Sequence, residues 1–357
     1  MKKAIRRITA VIIVIALLFG LQRLVTPKYM DDILEGSFIG EYYKEKPEHD
    51  VIMIGDCEVY ENFSPITLWE QYGITSFIRG SAQQLVWQSY YLLEDTLRYE
   101  TPEVVVFNVL ALKYNEPQRE EYNRMSIDGM KWSAAKWKNI KASMTEEEKA
   151  LDYVFPILRF HSRITQLTKS DFQYYLEKRK VTHNGYYMRV DIEPVEDLDL
   201  YAEEEPDTLE IGENAMNYMD KIKDLCEKKG IKLVLVKAPS ISPVWYDEYE
   251  DQMIEYAAAN NLPYINYLDL VEELGIDYTK DTYDAGLHMN LSGAEKLSNH
   301  LGGFLQSSYN LKDHREDEKL KKLWDEKIEF YNNMKAAQYK ELEDYGYLKS
   351  YGGESEE

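Results

Sequence analysis

The chain has 357 residues, 44% of them hydrophobic and 30 of them tyrosine, which is enough for a large folded core and excludes a disordered chain. Its net charge is −22. The first 28 residues carry Lys2, Lys3, Arg6, Arg7, Arg23 and Lys28 and no acid, so the remainder stands at −28, a surface that repels phosphate backbones and excludes nucleic acid as a partner.

Residues 1–28 predict a targeting segment. A basic start is followed by the apolar run Ile8 to Leu21, and no small-residue cleavage site follows it. The reading is an uncleaved signal anchor, positive side in, which places the body outside the cytoplasm as a single-pass protein of the cell membrane. A cleaved signal peptide is the alternative, and it exports the same body.

Residues 29–50 are a polar lead-in. Val51–Ile54 predicts a buried strand, turned by Gly55 into Asp56 and Cys57. Ser64 caps a short helix with Pro65 at its first position. Ile74–Arg79 is a second strand ended by Gly80, Ala82–Arg98 a helix, and Val104–Val109 a third strand. This rhythm implies parallel pairing. The pattern breaks from about 113 to 205, which reads as a helical insertion. In it Thr145–Glu148 forms a capping box for a helix through Leu151, Val154 and Leu158, and Tyr174–Lys180 is helical. His183–Tyr187 is a turn, and Asp191–Asp207 an exposed acidic loop.

The α/β rhythm then returns. Glu213–Lys229 is a helix stopped by Gly230, and Ile231–Lys237 a strand. Tyr249–Asn260 is a helix, Pro263–Leu268 a strand, and Ser292 caps a last helix through Leu305. The expected architecture is a flavodoxin-like three-layer α/β fold with sheet order 2-1-3-4-5. The expected domains are an anchor at 1–28, the α/β body at 29–312, and a charged helix with a disordered tail at 313–357.

Two cysteines are too few for a disulfide framework. A single bridge between them is possible, but helical spacing with Ile222 and Leu225 puts Cys226 on a buried helix face. Cys57, by contrast, follows the carboxyl end of a strand, where ligands bind in open α/β sheets. The loop Asp281–Asn290, before the last helix, should meet the same edge and brings His288 with Asp281 and Asp284. A nucleophile, a base and a group that orients the base are the needs of covalent catalysis, and Cys57, His288 and Asp284 fill them. Such a pairing predicts a thiol that titrates below its ordinary value of about 8.5. No His or Cys spacing supports a metal site. The clustered tyrosines and Trp245-Tyr246 are candidates for a sugar-binding cleft, or for core packing. His183 is a weaker candidate for substrate contact, and His49, His161, His300 and His314 read as structural or solvated.

Ile54-Gly55-Asp56-Cys57 resembles the first block of the SGNH/GDSL hydrolases, whose G-D-S motif bears the nucleophilic serine. Gly80 stands where that family's second block supplies an oxyanion N–H. Asp284 and His288, followed by Asn290-Leu291-Ser292-Gly293, resemble its last block. The likeness covers most of 51–110 and 210–305. Membrane-anchored members include the D-alanine transfer proteins of teichoic acid and the alginate-type O-acetyltransferases. The resemblance therefore implies an exported esterase or acyltransferase, with a cell-envelope glycan or polymer as substrate. It also implies a membrane-bound acyltransferase as a further partner, and no cofactor.

Three departures stand out. Position 57 is Cys, not Ser. The family's acid lies three residues before its histidine, where this chain has Ala285, so Asp284 and Asp281 both remain candidates. The G-x-N-D block is missing, which leaves Asn108 or Asn115 as the oxyanion donor. The other class of reading is a catalytically inactive module of the same fold that binds envelope polymer or scaffolds its acylation. A redox role for Cys57 lacks a nearby resolving cysteine.

Overall fold

A computed structural model of the chain describes residues 2–27, 35–45, 48–176, 182–195 and 208–351. Helix α1 (Lys2–Val25) holds the basic start and the apolar run, and nearly all of its surface is exposed. At about 1.5 Å per residue its 24 residues are long enough, and apolar enough, to cross the roughly 30 Å core of a bilayer. A short helix α2 (Glu35–Glu41) leads to the body.

The body is built on strands β1 (Val51–Gly55), β2 (Ser76–Gly80), β3 (Val104–Asn108), β4 (Lys232–Lys237) and β5 (Tyr264–Asn266). They form one parallel sheet of order β2-β1-β3-β4-β5, as expected. Its middle strands are buried on both faces, which is why they read as unbroken apolar runs. Val51, Met53, Val104 and Val106 enter one core, and Ile52, Ile54, Val105 and Phe107 enter the other. Strand order reverses between β1 and β3, and a crevice opens there beyond the strands' carboxyl ends.

Helices α3 (Cys57–Asn62) and α4 (Pro65–Tyr72) follow β1, and α5 (Val86–Thr96) follows β2. Ser64 caps α4, with Pro65 at its first position. Helix α5 begins at Val86 rather than Ala82, because residues 81–84 form a turn. Gln83 there takes a left-handed φ of 48°, and the Gln84 amide donates to the Arg79 carbonyl at 3.1 Å.

After β3 the insertion contributes α6 (Glu120–Ile127), α7 (Ala134–Ser143), α8 (Ala150–Val154), α9 (Ile157–Phe160), a 3-10 turn at His161–Gln166, and α10 (Lys169–Leu176). The expected helix through Leu151 and Leu158 is broken at Phe155-Pro156, where proline cannot donate to the preceding turn. The expected capping box forms only in part. Glu148 accepts from the Thr145 N–H at 2.7 Å, but it also receives the Tyr153 hydroxyl, and the helix starts later, at Ala150. Residues 177–180 of the expected second helix, the acidic loop beyond 195 up to Asp207, and the tail from 352 lie outside the described residues.

Helices α11 (Glu213–Lys229), α12 (Asp247–Ala259), α13 (Leu291–Tyr309) and α14 (Glu318–Tyr345) complete the layers. Gly230, at φ 73°, stops α11, and Cys226 is buried on its inner face. Both cysteines are free, so no bridge joins them. The cap of α13 is Asn290, not Ser292: its Oδ1 accepts from the N–H groups of Ser292 and Gly293. Helix α14 packs on the body. Trp324 stacks on Trp69 with ring centroids 4.9 Å apart, a contact worth about 0.5–1.5 kcal/mol beyond area burial. The buried Lys327 ammonium binds Glu45 and Asn184, each at 2.5 Å.

Candidate active site

The sharp turn after β1 needs its glycine. A Cβ on Gly55 would stand 2.4 Å from Val59 Cγ2 and 2.9 Å from Asn108 Cβ, so only glycine lets α3 fold back over the strand end. Asp56 caps α3 by accepting the Glu58 N–H at 3.1 Å, and Cys57 becomes the helix's first residue. It lines a cleft of about 570 Å³ that opens at the switch between β1 and β3.

The loop 281–290 reaches the same cleft as a self-bonded unit. Thr282 and Met289 form a bridge. Thr282 Oγ1 donates to the His288 carbonyl and accepts from the Gly286 N–H. Ala285 sits at φ 56° and Gly286 at φ 93°, a reversal that lets Asp284 turn back on His288 across four positions. Asp284 accepts the His288 backbone N–H at 2.7 Å, and its Oδ2 stands 2.6 Å from His288 Nδ1. The offset acid is thus the one that meets the histidine. Asp281 does not: it is buried beside Lys296 Nζ at 2.6 Å and accepts the Asp277 N–H, a structural clasp at the foot of the loop.

A residue the sequence reading missed completes the cluster. Glu61 lies one helical turn after Cys57 and so shares its face. Its Oε2 is 3.5 Å from His288 Nδ1 and accepts from the Tyr283 hydroxyl, whose ring stacks on the imidazole at 6.1 Å. One side-chain donor atom from each of Cys57, Glu61 and His288 lies within 4.8 Å of the others. Sulfur, nitrogen and oxygen are donor types that hold zinc, and no spacing motif reveals them because His288 comes from a distant segment. Asn62, next along α3, accepts the Met289 N–H at 2.7 Å and ties the histidine loop to the helix that carries Cys57.

Electrostatics at the cluster are dominated by burial and by the two carboxylates. Burial pulls the His288 imidazole down, but Glu61, Cys57 and Asp284 outweigh it and hold the imidazolium well above its ordinary range. Burial also acts on Cys57 and pushes its thiol up to about 11, although His288 beside it lowers it. This corrects the expectation of a depressed thiol. The sequence shows a partner for Cys57 but not the desolvation that outweighs it.

Beneath the cleft lies a second polar assembly. Asn108 donates to Asp56 Oδ1 at 3.1 Å and to Glu58 Oε2 at 2.8 Å. Lys237, fully buried, binds Glu58 Oε1 at 2.7 Å and the carbonyls of Ala238 and Ser240. Burial and the Glu58 charge raise Asp56 well above the ordinary carboxylate range. Asn108 therefore sits under the floor, with its amide committed to carboxylates. Gly80 pairs with Gly55 inside the sheet, and the chain reaches the cleft two residues later, at Ala82 and Gln83. Asn115 accepts from the Ala215 N–H at the start of α11.

Cleft aromatics are Tyr60, Tyr114, Tyr122, Tyr187 and Tyr283. Trp245-Tyr246 is not among them: Trp245 is buried and donates to Glu250 at 2.8 Å. Arg189, held by Asp191, lays its guanidinium 4.4 Å over the Tyr283 ring at the cleft edge. His183 is buried away from the cleft among Phe330 and Tyr331. His49 and His314 sit on Glu100 and Asp50.

No family model and no curated protein matches this chain. Among solved structures, it is similar to a Bacteroides fragilis protein described as a candidate acylhydrolase. That match has 13% identity and a TM-score of 0.36, and covers 74% of this chain and 89% of the other. A GDSL-like lipase of Bacteroides thetaiotaomicron is similar at 12% identity and a TM-score of 0.34, covering 75% of this chain and 90% of that one.

Proposed function

We propose that this chain is an SGNH/GDSL-type acyl-transferring enzyme, an esterase or acyltransferase, with cysteine in the place of the family's serine. The observation that carries the reading is the line Cys57–His288–Asp284, with the imidazole nitrogen 2.6 Å from its carboxylate at the mouth of a cleft. In this reading α1 anchors the protein, with Lys2, Lys3, Arg6 and Arg7 on the inner side and the body outside the cytoplasm. The substrate is an acyl ester of a cell-envelope glycan or polymer, and the cleft tyrosines supply flat faces for sugar rings.

The charges indicate how the residues divide the work. The carboxylates beside His288 favour its charged form, and in this reading it serves as acid first. The Cys57 thiol loses its proton to solvent through the open cleft, and the thiolate gains a cation beside it. Sulfur attacks the acyl carbon, forming a C–S bond. The oxyanion is met by the backbone N–H groups of Cys57 and of the turn from Gly80 to Gln83, with Asn108 supporting the turn from below. Collapse breaks the ester C–O bond, and the leaving oxygen takes the His288 proton. Neutral His288 then removes a proton from water or an acceptor hydroxyl as that oxygen attacks the thioester. Thiolate and imidazolium are restored.

The test is intact-mass analysis of the full chain after incubation with an activated aryl ester. A single acyl adduct, mapped to Cys57 and released by hydroxylamine, is expected. No adduct at any pH up to 10 would remove the enzyme reading. The second reading, an inactive polymer-binding module, is favoured by the raised thiol. It is supported if a Cys57→Ala/His288→Ala variant still binds glycan and no adduct forms.

A further inference from the structure

We propose that the outer face of Leu151–Leu176 lies against a lipid bilayer, beside the point where α1 leaves it, so that the cleft opens at the membrane surface. The proposal rests on the anchor reading of α1. Leu151, Phe155, Leu158, Ile164, Phe172 and Leu176 are each 46–75% exposed. Among the described residues they are six of the eight strongly exposed Leu, Ile and Phe side chains outside α1. Water-facing surfaces rarely gather apolar side chains this densely without a partner.

Continuity with α1 identifies the partner. The carboxyl end of α1 packs on α9, on the turn His161–Gln166 and on α10. Val25 is buried there, its carbonyl accepts from Arg163 Nη1 at 2.8 Å, and Arg163 is held in turn by Asp171. A helix whose upper end is clamped to this segment carries the segment down to the boundary it crosses. Charge agrees. Residues 151–176 hold three basic and two acidic side chains in a chain whose net charge is −22, so this face does not repel an anionic headgroup layer as the rest of the body does.

The same segment holds one wall of the cleft. Arg159 Nε binds Glu120 at 3.0 Å, Glu120 binds Arg124, and the Arg124 guanidinium lies 4.9 Å over the Phe160 ring. Glu120 and Arg124 belong to α6, whose Tyr122 and Met125 line the cleft. Substrate would then be met at the lipid–water boundary, as an acyl donor in the membrane or a polymer tethered to it.

The test uses the full chain in nanodiscs of phosphatidylcholine and phosphatidylglycerol, with Cys57→Ala to leave only the buried Cys226. Spin labels are placed singly at Val14→Cys, Phe155→Cys, Leu158→Cys, Ile164→Cys and, on the exposed face of α12, Ile254→Cys. Collisions with oxygen are compared with collisions with a water-soluble nickel chelate. The expected result is an oxygen excess at 14, 155, 158 and 164, and a nickel excess at 254. Oxygen excess at 14 with nickel excess at 155, 158 and 164 would overturn the docking surface and leave the anchor standing. Nickel excess at 14 as well would remove both.

Discussion

Two polar assemblies share the carboxyl edge of the sheet, one on each side of the cleft floor. Below it, Asp56, Glu58, Asn108 and Lys237 are buried and hydrogen-bond one another, with Asp56 and Glu58 forming the floor itself. Above it, Cys57, His288 and Glu61 line the cleft, and Asp284 stands behind the imidazole, so that two carboxylates meet one ring. Residues from the same short segment, 56–61, alternate between the two. A helix of 3.6 residues per turn aims Cys57 and Glu61 one way and Glu58 the other. The lower assembly positions the turn that presents the upper one, and the comparison separates what holds the fold from what the proposed function assigns to chemistry.

The largest separation comes from Cys57→Ala. Turnover of an activated aryl ester should fall by about 10⁴-fold or more, while the urea midpoint moves by no more than the equivalent of about 1 kcal/mol. Next is Lys237→Met, the reverse case. It leaves Glu58 buried without its cation and should cost about 3–5 kcal/mol in urea unfolding, with part recovered by adding Glu58→Gln. If the two variants have the same effect on both readouts, the division fails.

Smaller effects sharpen the upper assembly. Asp284→Ala should lower kcat/KM by about 10²–10⁴-fold, because the imidazole loses the group that orients it. Asp281→Ala should instead lower stability, by about 1–3 kcal/mol, since it leaves its partners at the loop foot unpaired. Equal kinetic losses for the two would return Asp281 as the orienting acid. Alkylation of Cys57 should rise with pH towards about 11, and His288→Ala should push that rise higher still, because the imidazolium lowers the thiol. A midpoint near 8.5 that is indifferent to His288 would mean that the two side chains do not interact.

The lower assembly has its own pH signature. Asp56 is raised on folding, so the folded state binds its proton more tightly than the unfolded chain. Its contribution to stability is complete below about pH 4 and is lost as pH climbs towards neutrality. Asp56→Asn should flatten that stretch of the stability–pH curve, and an unchanged slope would remove Asp56 as its source.

The frame was legible because each central strand is an apolar run between turn residues, and burial on both faces leaves no alternation to blur it. Ser64-Pro65 and Gly230 marked helix ends by local chemistry alone. The cap of α13 misread as Ser292 belongs to Asn290, two residues earlier, since both types cap helices and only the backbone path chooses. Composition left Trp245-Tyr246 open between a sugar-binding cleft and core packing, and the fold chose the core, where Trp245 found a carboxylate.

Sequence alone determined the strands, their alternation with helices and the place of Cys57 at a strand end, because these follow from periodicity and from short-range turn chemistry. Tertiary structure decided the rest. Which aspartate meets His288 depends on two positive-φ residues in one loop. Whether Glu61 joins depends on how α3 faces a segment more than 220 positions away. The titration of Cys57 depends on how much protein surrounds it, and desolvation is a property of the folded volume that no local pattern of residues encodes.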